Sequence, residues 1–333
     1  MHDDTRKHFD RYTQGLGDVY GVSDVTKSFS VQAPVEQKIE KKIQESSDFL
    51  MKINVRAVDL VEGRKRGLFG ARSAASRTDT SQNARKPVNI IGSFDDGYRC
   101  EKTNFDTAIT YDDLDEWAGD LNFEKIVSQI PVEQQARDRI MIGWNGISVA
   151  KETDYETYPL LEDVNKGWLH KIREKGSENY IGTANIGPDS VIDLAANLDA
   201  AVLASKRLIH TAHQGRTDFV VICGSDLVDE KYVNLVGSAD APTERAALNS
   251  LLANKTLGGL PVVIPPYFPS NAFLITPLKN LSLYWQKQSR RRKLKEQDER
   301  DQIVFFDSVR EAYVVEDFTA CVLVENLTFD SGA

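Results

Sequence analysis

Cysteine is scarce in this chain. Cys100, Cys223 and Cys321 lie far apart and make no C-x-x-C pair, so neither a disulfide framework nor a zinc site is predicted, and a reducing compartment is expected. Long apolar runs are missing: none approaches the ~18 residues of a membrane span, and the charged opening MHDDTRKHFD is no secretory signal, so no membrane partner is expected. A basic surplus is missing too. The net charge of -9 argues against a dedicated nucleic-acid binder. Glycine-rich phosphate loops (G-x-x-x-x-G-K-S/T, G-x-G-x-x-G), the G-x-S-x-G elbow and H-E-x-x-H are absent, which leaves cofactor binding, a nucleophile and a metalloprotease without support. No catalytic residue, no metal site and no cofactor is predicted.

What is there is a soluble-type composition over 333 residues, 41% hydrophobic and 27% charged, with length enough for about two domains. The stretch Asn122 to Gly146 (NFEKIVSQIPVEQQARDRIMIGWNG) reads as one long helix. Phe123, Ile126, Val127 and Ile130 mark one stripe; Ala136, Ile140 and Trp144 mark another that does not line up with it. Pro131 sits at the junction, so a kink is expected there. Such a helix needs neighbours along its whole length.

Residues 1–48 read as a charged arm, either a loose terminus or a segment ordered by a neighbouring subunit. Phe9 and Tyr12 anchor one helical turn, and Gly15, Gly17 and Gly21 are expected to interrupt anything longer. Ser28 to Val35 reads as extended, and a helix follows from Pro34 to Ser47. Leu50–Leu60 and Arg99–Tyr111 read as strands. Between them Val61–Gly97 is polar and carries Arg64, Lys65, Arg66, Arg72, Arg77, Arg85 and Lys86. A loop of this size is usually functional. It is either a solvated loop or a projecting hairpin that lies on acidic surface of another copy.

Asp112–Ala118 is a short acidic helix, and a polar linker follows Gly146. Val164, Trp168, Leu169 and Ile172 mark a helix ending near Gly176. From Val191 the pattern becomes mixed α/β: helices at Leu194–Ile209, Leu227–Val233 and Ala246–Leu252, strands at Asp218–Gly224, Leu260–Ile264, Ala272–Thr276 and Leu281–Trp285. The run SRRRKLKEQDERD reads as a loop or exposed hairpin, and Glu311–Phe318 and Cys321–Phe329 as closing strands. His210 and His213 suit a helix C-terminus better than a metal. Asp112, Asp113, Asp115 and Glu116 suit a solvated helix start better than a carboxylate-based hydrolase.

Several segments together resemble the major capsid proteins of peduovirus-type tailed phages: QESSDFL at 44–50, Phe123 through Ile140, Met141, Gly143, Asn145 and Gly146, LEDV at 161–164 with GWL at 167–169, GLP at 259–261, PYFP at 266–269, NLS at 280–282 and VVEDF at 314–318. Their order spans nearly the whole chain. The resemblance implies an α+β Hong Kong 97-type capsid fold. It implies an N-terminal arm (1–48), an extended-loop hairpin (49–111), a peripheral domain with a spine helix (112–189 and 277–333) and an axial domain (190–276). It implies self-assembly through hexamers and pentamers into an icosahedral shell, with an internal scaffold and maturation protease, a portal at one vertex, and packaged DNA held without specific binding. A protease cut is implied near Phe29 and Ser30. A cargo-holding compartment of the same fold is the alternative. Two features depart from the family pattern: Pro131 within the spine, and a short Lys175–Ser190 connection.

Overall fold

The computed structural model describes residues 1–67, 75–87, 92–117, 120, 122–186, 197–227 and 256–329; for 65–67 and 92–96 the backbone alone is described. The chain opens with helix α1 (Asp3–Tyr20), strand β1 (Phe29–Ser30), α2 (Ala33–Glu45) and α3 (Asp48–Lys52). Strands β2 (Asn54–Val58), β3 (Glu62–Gly67), β4 (Gly92–Arg99), β5 (Glu101–Asn104) and β6 (Thr107–Thr110) follow, then α4 (Tyr111–Trp117) and the long α5 (Phe123–Asn145). Next come α6 (Trp168–Lys175), β7 (Tyr180–Ile181), β8 (Ala184–Ile186), α7 (Leu198–Lys206) and β9 (Phe219–Cys223). The last stretch holds β10 (Thr256–Leu257), β11 (Leu260–Val263), β12 (Phe273–Pro277), β13 (Leu281–Gln286), β14 (Arg291–Gln297), β15 (Gln302–Val315), β16 (Val322–Val324) and β17 (Leu327–Phe329).

Two sheets organise these elements. The first has the path β1-β14-β15-β13-β2, with β5 and β6 paired along the remaining edge of β15. The second runs β10-β11-β9-β12-β16-β7. Its central strands are apolar on both faces, as strands covered on both sides must be. In β12, Phe273 and Ile275 face one core and Leu274 the other; in β16, Val322 and Val324 part from Leu323 in the same way. The period of two thus sends alternate side chains of one strand into two separate cores.

The two stripes of α5 have a similar cause. Phe123, Val127 and half-buried Ile130 pack with α1 and α4 in one cluster, while Ala136, Ile140, Ile142 and Trp144 enter another with α2, α3 and α6. The helix is unbroken from Phe123 to Asn145 and holds Pro131 in its interior. The mismatch between stripes therefore comes from two cores on opposite sides of one helix, and no break in the helix is needed. At its C-terminal end α5 lies close to α6: a Cβ on Gly143 would stand 2.2 Å from the Trp168 ring. Trp144, Trp168, Phe49 and Phe268 stack around this point, with ring centroids 4.9 to 5.2 Å apart for the pairs Trp144–Trp168, Trp144–Phe268 and Phe49–Trp144.

Several expectations are corrected. The glycines of the arm do not stop its helix: α1 spans 18 residues through Gly15 and Gly17 and ends at Gly21, φ +66°. Burial of Phe9, Tyr12 and Tyr20 outweighs the ~1 kcal/mol that each glycine costs a helix. Leu50–Leu60 divides into the end of α3 and β2, and β2 pairs with β13 instead of the 99–111 strand. The charged run after Ser289 is the first strand and turn of a hairpin, and β14 pairs over its full length with β15 inside the large sheet. Ala246–Leu252, and Leu227–Val233 beyond Leu227, lie outside the described residues.

Candidate assembly elements: arm, hairpin and spine

The arm is held by its own chain. Phe9 and Tyr12 are buried in the cluster shared with α4, α5 and β14. Arg6 makes a two-pronged contact to Glu296, Nη1 to Oε1 2.8 Å and to Oε2 2.7 Å. Phe29 and Ser30 are extended, as expected, and they are also paired: β1 runs antiparallel to β14, Phe29 opposite Arg292 and Ser30 opposite Arg291. Half-buried Phe29 stacks on Tyr20 at 5.1 Å, and the Val31 N–H donates to the Arg290 carbonyl at 3.1 Å. This strand is the outermost of its sheet, so no strand among the described residues pairs with its other edge.

Behind β1, α2 is fixed by a buried cluster of charges. Arg139 of α5 donates to Glu40 of α2 at 2.9 and 3.0 Å and to Glu311 of β15 at 2.9 and 2.5 Å. Arg290, fully buried, also donates to Glu40, at the Oε1 that takes Arg139 Nη2, and it donates to Asp307 at 2.5 Å and to the Gln135 side-chain oxygen at 3.3 Å. Arg292 closes the row on Asp307 at 2.6 Å. Glu36, one turn before Glu40, accepts the backbone N–H groups of Gln288 (2.7 Å) and Arg290 (3.1 Å), and so holds the turn in which Gln288 has φ +60°.

Charges taken out of water survive only when paired and hydrogen-bonded. Burial pushes the Glu40 carboxyl up, but the Arg139 and Arg290 guanidiniums outweigh it and hold the group down at about 2. Glu311 goes the other way: burial dominates, and its share of Arg139 offsets only part, so its carboxyl is raised. Burial also raises Glu36, against its two backbone donors. The cluster joins arm, spine and sheet at one point.

The hairpin is β3 paired with β4, Glu62 opposite Arg99 and Gly67 opposite Gly92, with an irregularity between Arg64 and Arg66. Its strands lie inside the polar stretch that reads as a loop, and the flanking 50–60 and 99–111 segments pair elsewhere. Arg64 is exposed, as are Arg77, Arg85 and Lys86. Lys65 and Arg66 are described by backbone only, and Arg72 lies outside the described residues. Tyr98 lies across Gly63, 2.7 Å from where a Cβ would stand, so a side chain there would displace the tyrosine ring.

The remaining sequence candidates come to rest as structure. The His210 Nδ1 accepts the Ala212 N–H at 3.2 Å at the start of a short turn, and buried His213 pairs with Asp317 at 3.0 Å. Asp115 accepts the His2 N–H at 2.8 Å and the Thr5 hydroxyl at 2.5 Å, while Asp113 accepts the Thr110 hydroxyl at 2.6 Å. Among the described residues no group of histidine, cysteine and carboxylate side chains is placed to hold a metal ion, and no helix is long and apolar enough to cross a membrane.

Sequence reasoning missed Glu36, Glu40, Asp307 and Glu311, and it put Arg290 in an exposed charged run although the residue is fully buried. One signal was present for Arg139: it lies between Ala136 and Ile140 on the apolar stripe of the spine, where an exposed residue does not belong.

The model of the P2 family of phage major capsid proteins matches residues 8–327. The chain belongs to that family. It is 36% identical to the capsid protein of Escherichia phage P2 over 98% of this chain and 95% of the relative. It is 34% identical to the major capsid protein of Serratia phage KSP20, covering 99% and 98%. Among solved structures, the satellite phage P4 procapsid including size determination (Sid) protein matches over 100% of both chains at 33% identity, with a TM-score of 0.82. The capsid of an empty GTA particle matches 85% of this chain and 90% of its own at 13% identity and a TM-score of 0.51, which speaks to the fold alone. This phage major capsid protein has the Hong Kong 97-type fold, and its role is that of a structural subunit of the virion capsid built from copies of itself.

Proposed function

We propose that this capsid protein forms hexamers and pentamers of a closed icosahedral head around double-stranded DNA, assembled in the bacterial cytoplasm with a portal at one vertex. The observation that carries this reading is the full-length match to a procapsid chain at a TM-score of 0.82. The net charge of -9 suits a wall that contains DNA without binding it specifically.

Within the subunit, residues 1–48 act as the arm, 49–111 as the hairpin reaching a neighbouring copy, and 112–189 with 277–333 as the peripheral domain on its spine. Residues 190–276 act as the axial domain, whose sheet β16 completes. The arm engages an internal scaffold and is cut by the maturation protease after Phe29, leaving Ser30 at the start. The outermost position of β1 supports that site, because among the described residues no strand takes the backbone edge that a protease strand would use. The division of the arm supports it too: α1 is held mainly by side-chain packing ahead of Phe29, while α2, beyond it, is clamped by Arg139 and Arg290. The cut then releases one helix and keeps the other. Co-expression with the phage's scaffold and negative-stain microscopy test the function: closed icosahedral particles are expected, and a subunit that stays soluble and unassembled would overturn it.

A further inference from the structure

Between Gly146, at the end of α5, and Gly167, at the start of α6, the chain makes an excursion that reads in sequence as a polar linker. Its two ends are joined, the Gly167 N–H donating to the Gly146 carbonyl at 2.9 Å. Ile147 and Ser148 donate to the Glu162 carbonyl at 2.7 and 3.1 Å, and Ala150 to the Asp163 carbonyl at 2.8 Å. The buried Asp163 carboxylate accepts the Asp154 N–H at 2.8 Å. Asp154 in turn accepts the Glu156 N–H at 3.0 Å and the Thr157 hydroxyl at 2.6 Å. Leu161, at φ +58°, turns the chain back. The segment is an Ω-type loop, its backbone set by its own hydrogen bonds.

Yet every residue from 147 to 160 is exposed, and the exposed set is apolar out of proportion: Ile147 40%, Val149 45%, Tyr155 70%, Tyr158 36% and Leu160 40%. So many exposed apolar side chains within one short, fixed loop suit a contact surface. A backbone already in place loses little conformational entropy on docking, and tyrosines bring large area with few rotatable bonds. The rim is acidic, with exposed Glu152, Asp154 and Glu156 against Lys151 alone. The hairpin is its complement, with exposed Arg64, Arg77, Arg85 and Lys86 against exposed Glu62 and Asp79.

We propose that residues 147–160 are the seat on which the basic hairpin of a second copy of this chain docks, Tyr155 and Tyr158 supplying the apolar contact and Glu152 and Glu156 pairing with the hairpin's arginines. This rests on the reading of the hairpin as an intersubunit arm. Opposite charges across such a contact select the partner and its register, so reversing one side repels and reversing both restores.

The full-length chain, co-expressed with the phage's head-assembly proteins, is the test, with particle yield read after sedimentation. Glu152→Lys/Glu156→Lys and Arg64→Glu/Arg77→Glu are each expected to lower yield about tenfold or more, and the combined four-residue swap to recover most of it. Tyr155→Ser, which changes no charge, is expected to lower yield as well. All these side chains are exposed, so unchanged circular dichroism and melting of the unassembled subunit confirm the fold. Normal yield from Glu152→Lys/Glu156→Lys or from Tyr155→Ser overturns the seat and leaves the hairpin reading standing. Normal yield from Arg64→Glu/Arg77→Glu overturns the hairpin reading itself. Loss in both charge-reversed pairs without recovery in the combination overturns their pairing.

Discussion

Replacing Glu40 by Gln removes one charge from the cluster that clamps α2 and keeps the shape. In the wild type the carboxylate accepts from two guanidiniums, Arg139 at 2.9 and 3.0 Å and Arg290 at Oε1, and it is 3% exposed. Breaking a buried pair by removing one partner costs about 3–5 kcal/mol, because the other charge is left uncompensated. The titration of Glu40 leads to a similar figure. A carboxyl held down from its ordinary 4.5 to about 2 contributes about 3 kcal/mol. The sign follows from the depressed value: folding favours the ionised form, so this stability is fully present above about pH 5 and is lost as pH falls toward 2. Glu311 carries the opposite sign, since burial makes its carboxyl bind a proton more readily in the folded state. The gap between wild type and variant is therefore the quantity to follow. In urea melts of the unassembled subunit it is expected to be about 3–5 kcal/mol at pH 7 and to be smaller by about 2 kcal/mol at pH 3. A gap below about 1 kcal/mol at pH 7, or one that does not change with pH, would refute the argument.

Pro131→Ala should raise stability by about 1–3 kcal/mol, since Pro131 lies inside an unbroken helix and offers no N–H to the Val127 carbonyl; a lower melting temperature would show that the ring is needed. Gly143→Ala should cost about 1–3 kcal/mol, because its methyl would meet the buried Trp168 ring, whereas Gly15→Ala, with nothing within 4 Å, should add about 0.5–1 kcal/mol through α1; equal melting shifts would contradict the packing described for α5 and α6. Intact mass spectrometry of the subunit from DNA-filled heads should find a chain beginning at Ser30. A full-length mass there would rule out processing, and a start beyond Pro34 would rule out the site.

Elements built on a strong local period were legible. The α2 helix starts at its proline, α6 carries Trp168, Leu169 and Ile172 on one face, and β9 and β13 are apolar runs of strand length. The misread elements depend on distant residues. The run holding β14 reads as a loop or an exposed hairpin, and the sequence around Arg290 carries no sign that Glu40, 250 positions away, completes a buried pair. Helix α1 looked impossible from its glycines because its support comes from α4, α5 and β14. The slip in the spine pattern reads as two stripes, and both are buried, but each has a core of its own, since periodicity reports which faces are buried and says nothing of how many cores bury them.

The pairing of β1 with β14 also sets a timetable. Phe29 meets Arg292, so 263 residues separate the two strands along the chain. A ribosome adds about 5–20 residues per second, so the first strand waits about 13–50 s for the second. Glu36 and Glu40 wait as long for Arg290. Throughout that interval the emerging amino-terminal segment has neither its sheet nor Arg290, and any molecule that must meet it before it is buried has its opportunity during translation.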